Sequence, residues 1–301
     1  MKFDVCLMNP PYSDEGRGHM HLDFVNHALT HSNDVIAVFP CNFVKDHKAK
    51  HGKTYKEYFS KRLISVEEIN SSIFSGTAMY SVGIYNFGEN ETDEIYFNFN
   101  EKSCTCKSIL DYNPFNDNDN EILTYISNNP VNAIWAGGVG NTYRKSENDY
   151  NKRIQLIEEH CIQLPNDKVY LVANFALGGN TARFFTKNTG KIFADKQILI
   201  EYFKSLNCSG GYNVLIFDDI ISAERCRDAM NRPLFRAMLS KLQVDQNMPI
   251  SKCYTHIPNI NWEDDRVKTD EGILEMCGCP KDKCKEYVDY CRKIIEEVDN
   301  K

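Results

Sequence analysis

The sequence offers no apolar run long enough to cross a bilayer, for which a helix needs about 20 consecutive apolar residues. Its opening, Met1-Lys2-Phe3-Asp4, has neither the apolar stretch nor the cleavage site of a secretory signal. With both absent, the expected location is the cytoplasm and no membrane partner is expected. Also missing are an internal repeat and the low-hydrophobicity, high-charge composition of a disordered chain: apolar residues make up 42% and charged ones 26% of the 301. A chain of this size buries a substantial core and is expected to form two lobes. Paired Cys-x-x-Cys spacing is absent too. The twelve cysteines are scattered and, without a secretion signal, are expected as reduced thiols and not as a disulfide framework. Cys277, Cys279, Cys284 and Cys291 have the residue type of a four-thiolate zinc site but not its usual spacing. Their segment reads instead as a turn entering a helix, so no metal is expected. Cys104 and Cys106 alternate, as residues on one face of a strand do.

A large excess of positive charge is likewise lacking. The net charge is −7 and the pI about 5.7, which argues against a generic polyanion binder. The distribution is uneven, however. Residues 45–62 carry seven Lys/Arg against two acids, residues 224–252 carry six against three, and residues 89–121 between them hold nine acids and two lysines. Two basic surfaces separated by an acidic one suit a protein that grips a phosphate backbone at chosen points. Either stretch alone is equally well a solvated helix face. The candidate backbone contacts are Lys45, Lys48, Lys50, Lys53, Arg232 and Arg236.

What the chain does have is alternating strand and helix signals. Phe3 to Met8 is a short apolar run of the kind buried on both faces of a parallel sheet. HLDFVNHALTH places Leu22, Phe24, Val25, Ala28 and Leu29 at helical spacing, and Val35 to Pro40 reads as a second buried strand. Strand, helix and strand in this order imply a right-handed crossover. A helix over Tyr55 to Leu63, a strand near Val66 to Ile69, the alternating run Met79 to Phe87 and a strand at Glu94 to Phe99 complete an α/β layer over residues 1–110. Residues 111–130 mix turn formers with one short helix and look like a boundary. A second lobe over residues 111–250 is less regular. It should contain a helix near Glu147 to Cys161, strands at Val169 to Asn174 and Ile192 to Ile200, a turn at Gly210-Gly211, the strand NVLIF and a helix from Ser222 to Leu242. Residues 251–301 read as a closing helical segment, two short helices capped by Thr269 or Asp270, with Trp262 in its core.

The strand at Phe3 to Met8 ends in Asn9-Pro10-Pro11-Tyr12. A residue before proline is pushed out of the α region, so Asn9 and Pro10 are both held extended and the loop is stiff before anything binds. At the C-terminal end of a parallel strand such a loop faces the crevice where open α/β sheets bind ligands. The Asn9 side-chain carbonyl and the Pro10 backbone carbonyl are then two convergent acceptors, suited to an exocyclic amine with two hydrogens. Tyr12 adds a planar face for stacking a base, worth about 1–3 kcal/mol. Without its flanks, the same tetrapeptide is equally a rigid turn or a proline-rich peptide motif.

FDVCLMNPPYS resembles motif IV of the adenine-N6 DNA methyltransferases that use S-adenosylmethionine, the γ-type enzymes of restriction-modification systems and phages. VIAVFPCNFV is similar to the strand that follows the family's crossover. EEINSSIFSGTAMYSVGIYNF resembles its motif VII and VIII region, where an aromatic at the position of Phe74 sandwiches the target base opposite Tyr12; from the residues alone Phe74 is equally a core side chain. The run from Ala223 to Glu275 resembles the end of a target-recognition region. The resemblance implies an α/β fold, a partial Rossmann-like methyltransferase layer followed by an α+β target-recognition lobe. It implies Asn9, Pro10, Pro11 and Tyr12 as catalytic residues, S-adenosylmethionine as cofactor and double-stranded DNA as partner.

The family places a Gly-rich cofactor loop before this motif, with an acid at the end of the next strand, whereas only eight residues precede Asn9. IWAGGVGN (Ile134 to Asn141) and NFALGGNT (Asn174 to Thr181) are not followed by a helix and an acid-ending strand at the expected distance, and read as recognition-lobe loops. Phe3 to Met8 is then an edge strand with an apolar face. The expectation is either a truncated form or a split enzyme completed by a chain that carries the Gly-rich cofactor motif. Two alternatives stand beside it: a methyltransferase-like DNA-binding protein without chemistry, and an N-methyltransferase of RNA or of a protein glutamine, amines that the same motif serves.

Overall fold

The computed structural model describes residues 2–11, 20–41, 59, 61–69, 82–99, 102–113, 115–136, 154–155, 157–159, 161–173, 190–205, 212–242 and 256–299. The chain divides into two compact units, Met1–Asn116 with Val244–Gln246, and Asp117–Gln243 with Asn247–Lys301. No helix among the described residues is long and apolar enough to cross a membrane.

The first unit is mixed α/β, built on a six-stranded sheet. Its strands are β1 (Phe3–Met8), β2 (Ser32–Pro40), β3 (Leu63–Ile69), β4 (Val82–Phe87), β5 (Ile95–Phe99) and β6 (Lys102–Cys106), in the order β1-β2-β4-β3-β5-β6. β1 and β2 are parallel and joined through helix α1 (Met20–His31); β4 lies antiparallel between β2 and β3; β3 and β5 are parallel, and β5 and β6 antiparallel. On α1 the buried residues are His21, Leu22, Val25, Ala28 and Leu29. This arc packs on Val35, Ala37 and Phe39, with Cys6, Met8, Cys104 and Cys106 at the margins of the same core. At 3.6 residues per turn Phe24 falls outside the arc. It is exposed, and His21 occupies the buried place one turn before Val25. The Arg62 guanidinium donates to the carbonyls of Gly88 (2.8 Å), Leu29 (3.0 Å) and Asn33 (3.2 Å), tying the end of α1 to β2 and β4.

One expectation for β1 is corrected. Only its Cys6 and Met8 side joins the core, while Phe3, Val5 and Leu7 are 69%, 49% and 73% exposed. β1 lies at the end of the sheet order, and α1 covers a single face.

The second unit holds an antiparallel sheet, β7 (Ala133–Ala136), β8 (Val169–Ala173), β9 (Lys191–Phe193) and β10 (Tyr212–Phe217), in the order β7-β10-β8-β9. Around it are α2 (Asp117–Ser127), α3 (Lys196–Ser205), α4 (Ile220–Met230), α5 (Pro233–Leu242), α6 (Asp270–Met276) and α7 (Lys281–Asp299). The strand expected over 192–200 is instead β9 followed by the first half of α3. The Asp195 carboxylate accepts the Ile198 amide at 2.9 Å and starts the helix, which buries Leu199 and Phe203 four residues apart. The helix expected over 222–242 is two helices. Asn231 closes α4 and Pro233, which has no amide hydrogen to give, opens α5. Thr269 caps α6, its hydroxyl accepting the Gly272 amide at 3.1 Å, and α7 is a long helix of 19 residues. Trp262 is buried as expected. The helices expected at 55–63 and 147–161 fall largely outside the described residues.

Candidate functional site

Because β1 and β2 run in one direction, with Met8 beside Ala37, both strands end at the same edge of the sheet. Asn9 and Pro10 follow β1 directly at that edge, where adjacent parallel strands of an α/β sheet leave a ligand crevice. Pro10 is buried, and Asn9 and Pro11 on either side of it are exposed. The chain therefore leaves β1 in a direction restricted by its two prolines, with Pro10 buried and Asn9 an exposed residue. Tyr12, Phe74, Lys45, Lys48, Lys50 and Lys53 lie outside the described residues.

A buried aromatic cluster packs at the end of β2. His21, 3% exposed, lies against Phe39 with ring centroids 5.0 Å apart, and Phe39 stacks on Tyr85 at 3.7 Å and 8°. Cys41, just past β2, is buried against Gly83; a Cβ at Gly83 would lie 3.1 Å from the Cys41 Sγ and 3.2 Å from the Tyr85 ring. Burial, and then the neighbouring Cys41 thiol, push the Tyr85 hydroxyl well above its ordinary pKa, so it stays neutral. The cluster is closely packed and uncharged at Tyr85. Sequence reasoning does not single out His21; the signal that finds it is its position four residues before Val25 on the buried arc.

Arg225, Arg232 and Lys241 of the basic stretch in the second unit have partners within that unit. Arg225 Nη1 donates to the carbonyls of Trp262 (3.2 Å) and Asp264 (3.3 Å). Arg227 pairs with Asp228 at 3.2 Å. Arg232 Nη2 donates to the Val267 carbonyl at 2.6 Å, and its Nε lies 3.3 Å from the Asp270 carboxylate, whose side chain is 4% exposed. Burial lowers the Arg232 pKa and raises that of Asp270, each against the pull of the other. Lys241 pairs with Asp119 at 2.7 Å. A buried carboxylate needs a cation close by. Arg232 is thus engaged at the α5–α6 junction, while Arg236 is half-buried on α5.

Among the described residues no group of three or more His, Cys, Asp or Glu side chains converges as a metal site. The Cys279 and Cys284 thiols instead donate to the Pro280 carbonyl at 3.6 Å and 3.3 Å.

The Gly-rich segments IWAGGVGN and NFALGGNT begin in or just after β7 and β8, which both pair antiparallel with β10, and β8 continues to an antiparallel neighbour, β9. A cofactor loop of the dinucleotide-binding kind sits between a strand and the helix of a parallel crossover, and neither strand belongs to one.

No protein-family model matches the chain, and no curated protein matches it.

Proposed function

We propose that this chain is the base-holding and target-recognition part of a site-specific adenine-N6 DNA methyltransferase. In this reading the first unit is part of a Rossmann-like methyltransferase layer and the second is the target-recognition lobe. The observation that carries it is the placement of Asn9 and Pro10 at the C-terminal edge of the parallel pair β1–β2, with Pro10 buried and Asn9 exposed. The Asn9 side-chain oxygen and the Pro10 carbonyl accept the two N–H groups of an exocyclic amine. The lone pair of that amine is delocalised into the purine ring, and two fixed acceptors favour the pyramidal, electron-rich form that exists only on the way to reaction. An adenine within a duplex is out of reach, so the base is flipped out at a cost of a few kcal/mol. Tyr12 and Phe74 hold its ring from the two sides.

S-adenosylmethionine would supply the methyl group when bound. The reading assigns its cradle to a Gly-rich motif of the split or longer enzyme of which this chain is one part. The antiparallel pairing of β7 and β8, the strands that lead into the two Gly-rich segments, also favours a second reading, a methyltransferase-like DNA-binding protein that keeps the base pocket without the chemistry.

The test is methyl transfer from radiolabelled S-adenosylmethionine to duplex DNA, by the chain alone and with the polypeptide encoded directly upstream. Asn9→Ala should lower kcat by about 10²–10³, the usual loss for one preorganised hydrogen-bonding group. Cofactor that binds neither the chain nor the pair favours the second reading. Transfer to RNA or to a glutamine amide in place of DNA would overturn the substrate assignment.

A further inference from the structure

The buried arc of α1 is made by His21, Leu22, Val25, Ala28 and Leu29. Two further histidines of the helix, His27 and His31, lie off that arc and are exposed. Residues four apart on a helix are neighbours on one face, one turn above the other. The two imidazole rings accordingly meet, with centroids 4.5 Å apart and 61° between their planes. Neither belongs to the core or to the Asn9–Pro10 site.

Imidazole nitrogen is a good ligand for divalent ions of the later transition metals, and two imidazoles one helical turn apart can share one ion. The ring separation fits that use. A nitrogen about 2.1 Å from a metal sets the centroid of its ring about 3.2 Å from the same ion. Two rings sharing one ion then have centroids about 4.5 Å apart at a right angle at the metal, and about 5.2 Å apart at the tetrahedral angle. The observed 4.5 Å falls at the right-angle end, the geometry of square-planar or tetragonal Ni²⁺ and Cu²⁺ and not of tetrahedral zinc. Rotation about exposed side-chain torsions turns one nitrogen of each ring toward the ion, and neither ring has to leave a packed position.

The place suits a cation as well. His31 ends α1, where the aligned peptide dipoles leave partial negative charge. Arg62 draws on the same charge through the Leu29 carbonyl at 3.0 Å, so the dipole is a supporting contribution and the two nitrogens carry the binding. Asp23 is exposed one turn before His27, which puts an acid on the same row, at i, i+4 and i+8. Among the described residues no three or more His, Cys, Asp or Glu side chains form a metal-holding group, so the protein offers two ligands here.

We propose that His27 and His31 form a two-nitrogen surface site for a divalent transition ion of the nickel or copper class. Water, or a donor from another molecule, fills the remaining coordination positions. The site lies on the exposed side of α1 and does not depend on the methyltransferase reading.

The experiment titrates the full chain with Ni²⁺ at about pH 8, where protons compete little for an ordinary imidazole; Cu²⁺ is avoided because it oxidises free thiols. His47 and His51 have the same spacing in the sequence, so the titration is made in the His47→Gln/His51→Gln background. Calorimetry should give one Ni²⁺ per chain at the tightest site. His27→Gln and His31→Gln should each weaken it at least about tenfold, the lower end of what even outer-shell changes cost a metal site. Both positions are exposed, so the substitutions spare the fold, as near-UV circular dichroism would verify. Paramagnetic Ni²⁺ should broaden the His27 and His31 imidazole NMR signals ahead of those of the other histidines. Any of three results overturns the proposal: a background chain that binds no Ni²⁺, an affinity unchanged by either substitution, or broadening that begins at other histidines. A ring contact that serves only the helix surface predicts the second of these.

Discussion

Replacing Lys241 by Met tests whether the basic stretch of α4 and α5 serves the fold. Lys241 Nζ donates to Asp119 Oδ2 at 2.7 Å and to the Tyr290 hydroxyl at 2.9 Å, and that hydroxyl donates to Asp119 Oδ1 at 2.8 Å. The closed ring joins α5, α2 and α7. The Asp119 side chain is 2% exposed and that of Lys241 19%, so solvent screens the pair little. Methionine keeps most of the aliphatic stem and removes the charge. A buried carboxylate left without its cation costs about 3–5 kcal/mol, and that is the loss expected. The double variant Asp119→Leu/Lys241→Met should recover most of it, because an apolar replacement of a whole buried pair is often close to neutral. Urea unfolding followed by tryptophan fluorescence is the assay; Trp135 and Trp262, the two tryptophans of the chain, both belong to the second unit, so the signal reports that unit. A loss below about 1 kcal/mol, the range of exposed ion pairs, would refute the reasoning, as would a double variant as unstable as the sum of the singles. The pH dependence has a definite sign. Burial pulls the Lys241 pKa down, but the bonds to Asp119 and Tyr290 outweigh it and the value is raised above 10.5. Its stabilisation is therefore full below pH 10.5 and is lost as pH rises through the folded-state value, so the gap between wild type and Lys241→Met should narrow only in strong alkali.

Gly272→Ala should destabilise the second unit by about 1–3 kcal/mol, the usual cost of overpacking, since the added Cβ would lie 2.1 Å from the Arg266 carbonyl oxygen; unchanged urea unfolding would contradict this. The Arg266 side chain and amide hold Asp264 down at about 2 from 3.8, so the stabilisation from this pair is full above pH 3.8 and is lost as pH falls through about 2. A carboxyl NMR titration of Asp264 with its midpoint near 4 would contradict the pairing. Burial pushes the Cys277 and Cys279 thiols up to about 12 from 9, so at pH 8 each should carry roughly 10³-fold less thiolate than an ordinary cysteine. They should label slowly with a disulfide reagent until the protein is denatured, and rapid labelling of the native chain would show them accessible.

Much of the first unit was legible from local patterns. The apolar run at Phe3 to Met8, the i, i+3, i+4 repeat of Leu22, Val25, Ala28 and Leu29, and the second apolar run before Pro40 each signal one element within a few residues. The double proline adds stiffness that needs no distant contact. The errors arose where short apolar runs are ambiguous in period. Ile192 to Ile200 reads as one strand until Asp195 is seen to cap a helix within it, and Ser222 to Leu242 reads as one helix although Pro233 restarts it. At the candidate site, Asn9 and Pro10 could be read from order alone. His21 could not, because its burial depends on which arc of α1 meets Phe39.

Residue order alone was enough to specify the strand, its rigid proline exit and the helix that returns beside it, since these depend on steric limits and spacing within about a dozen positions. The sequence had already marked β1 as an edge strand with an apolar face; packing in three dimensions decided that Phe3, Val5 and Leu7 form that face while Cys6 and Met8 join the core. It also decided that Arg225, Arg232 and Lys241 face inward. Lys241 and Asp119 are 122 positions apart, and Coulomb attraction acts on distance in space, which a run of basic letters does not record.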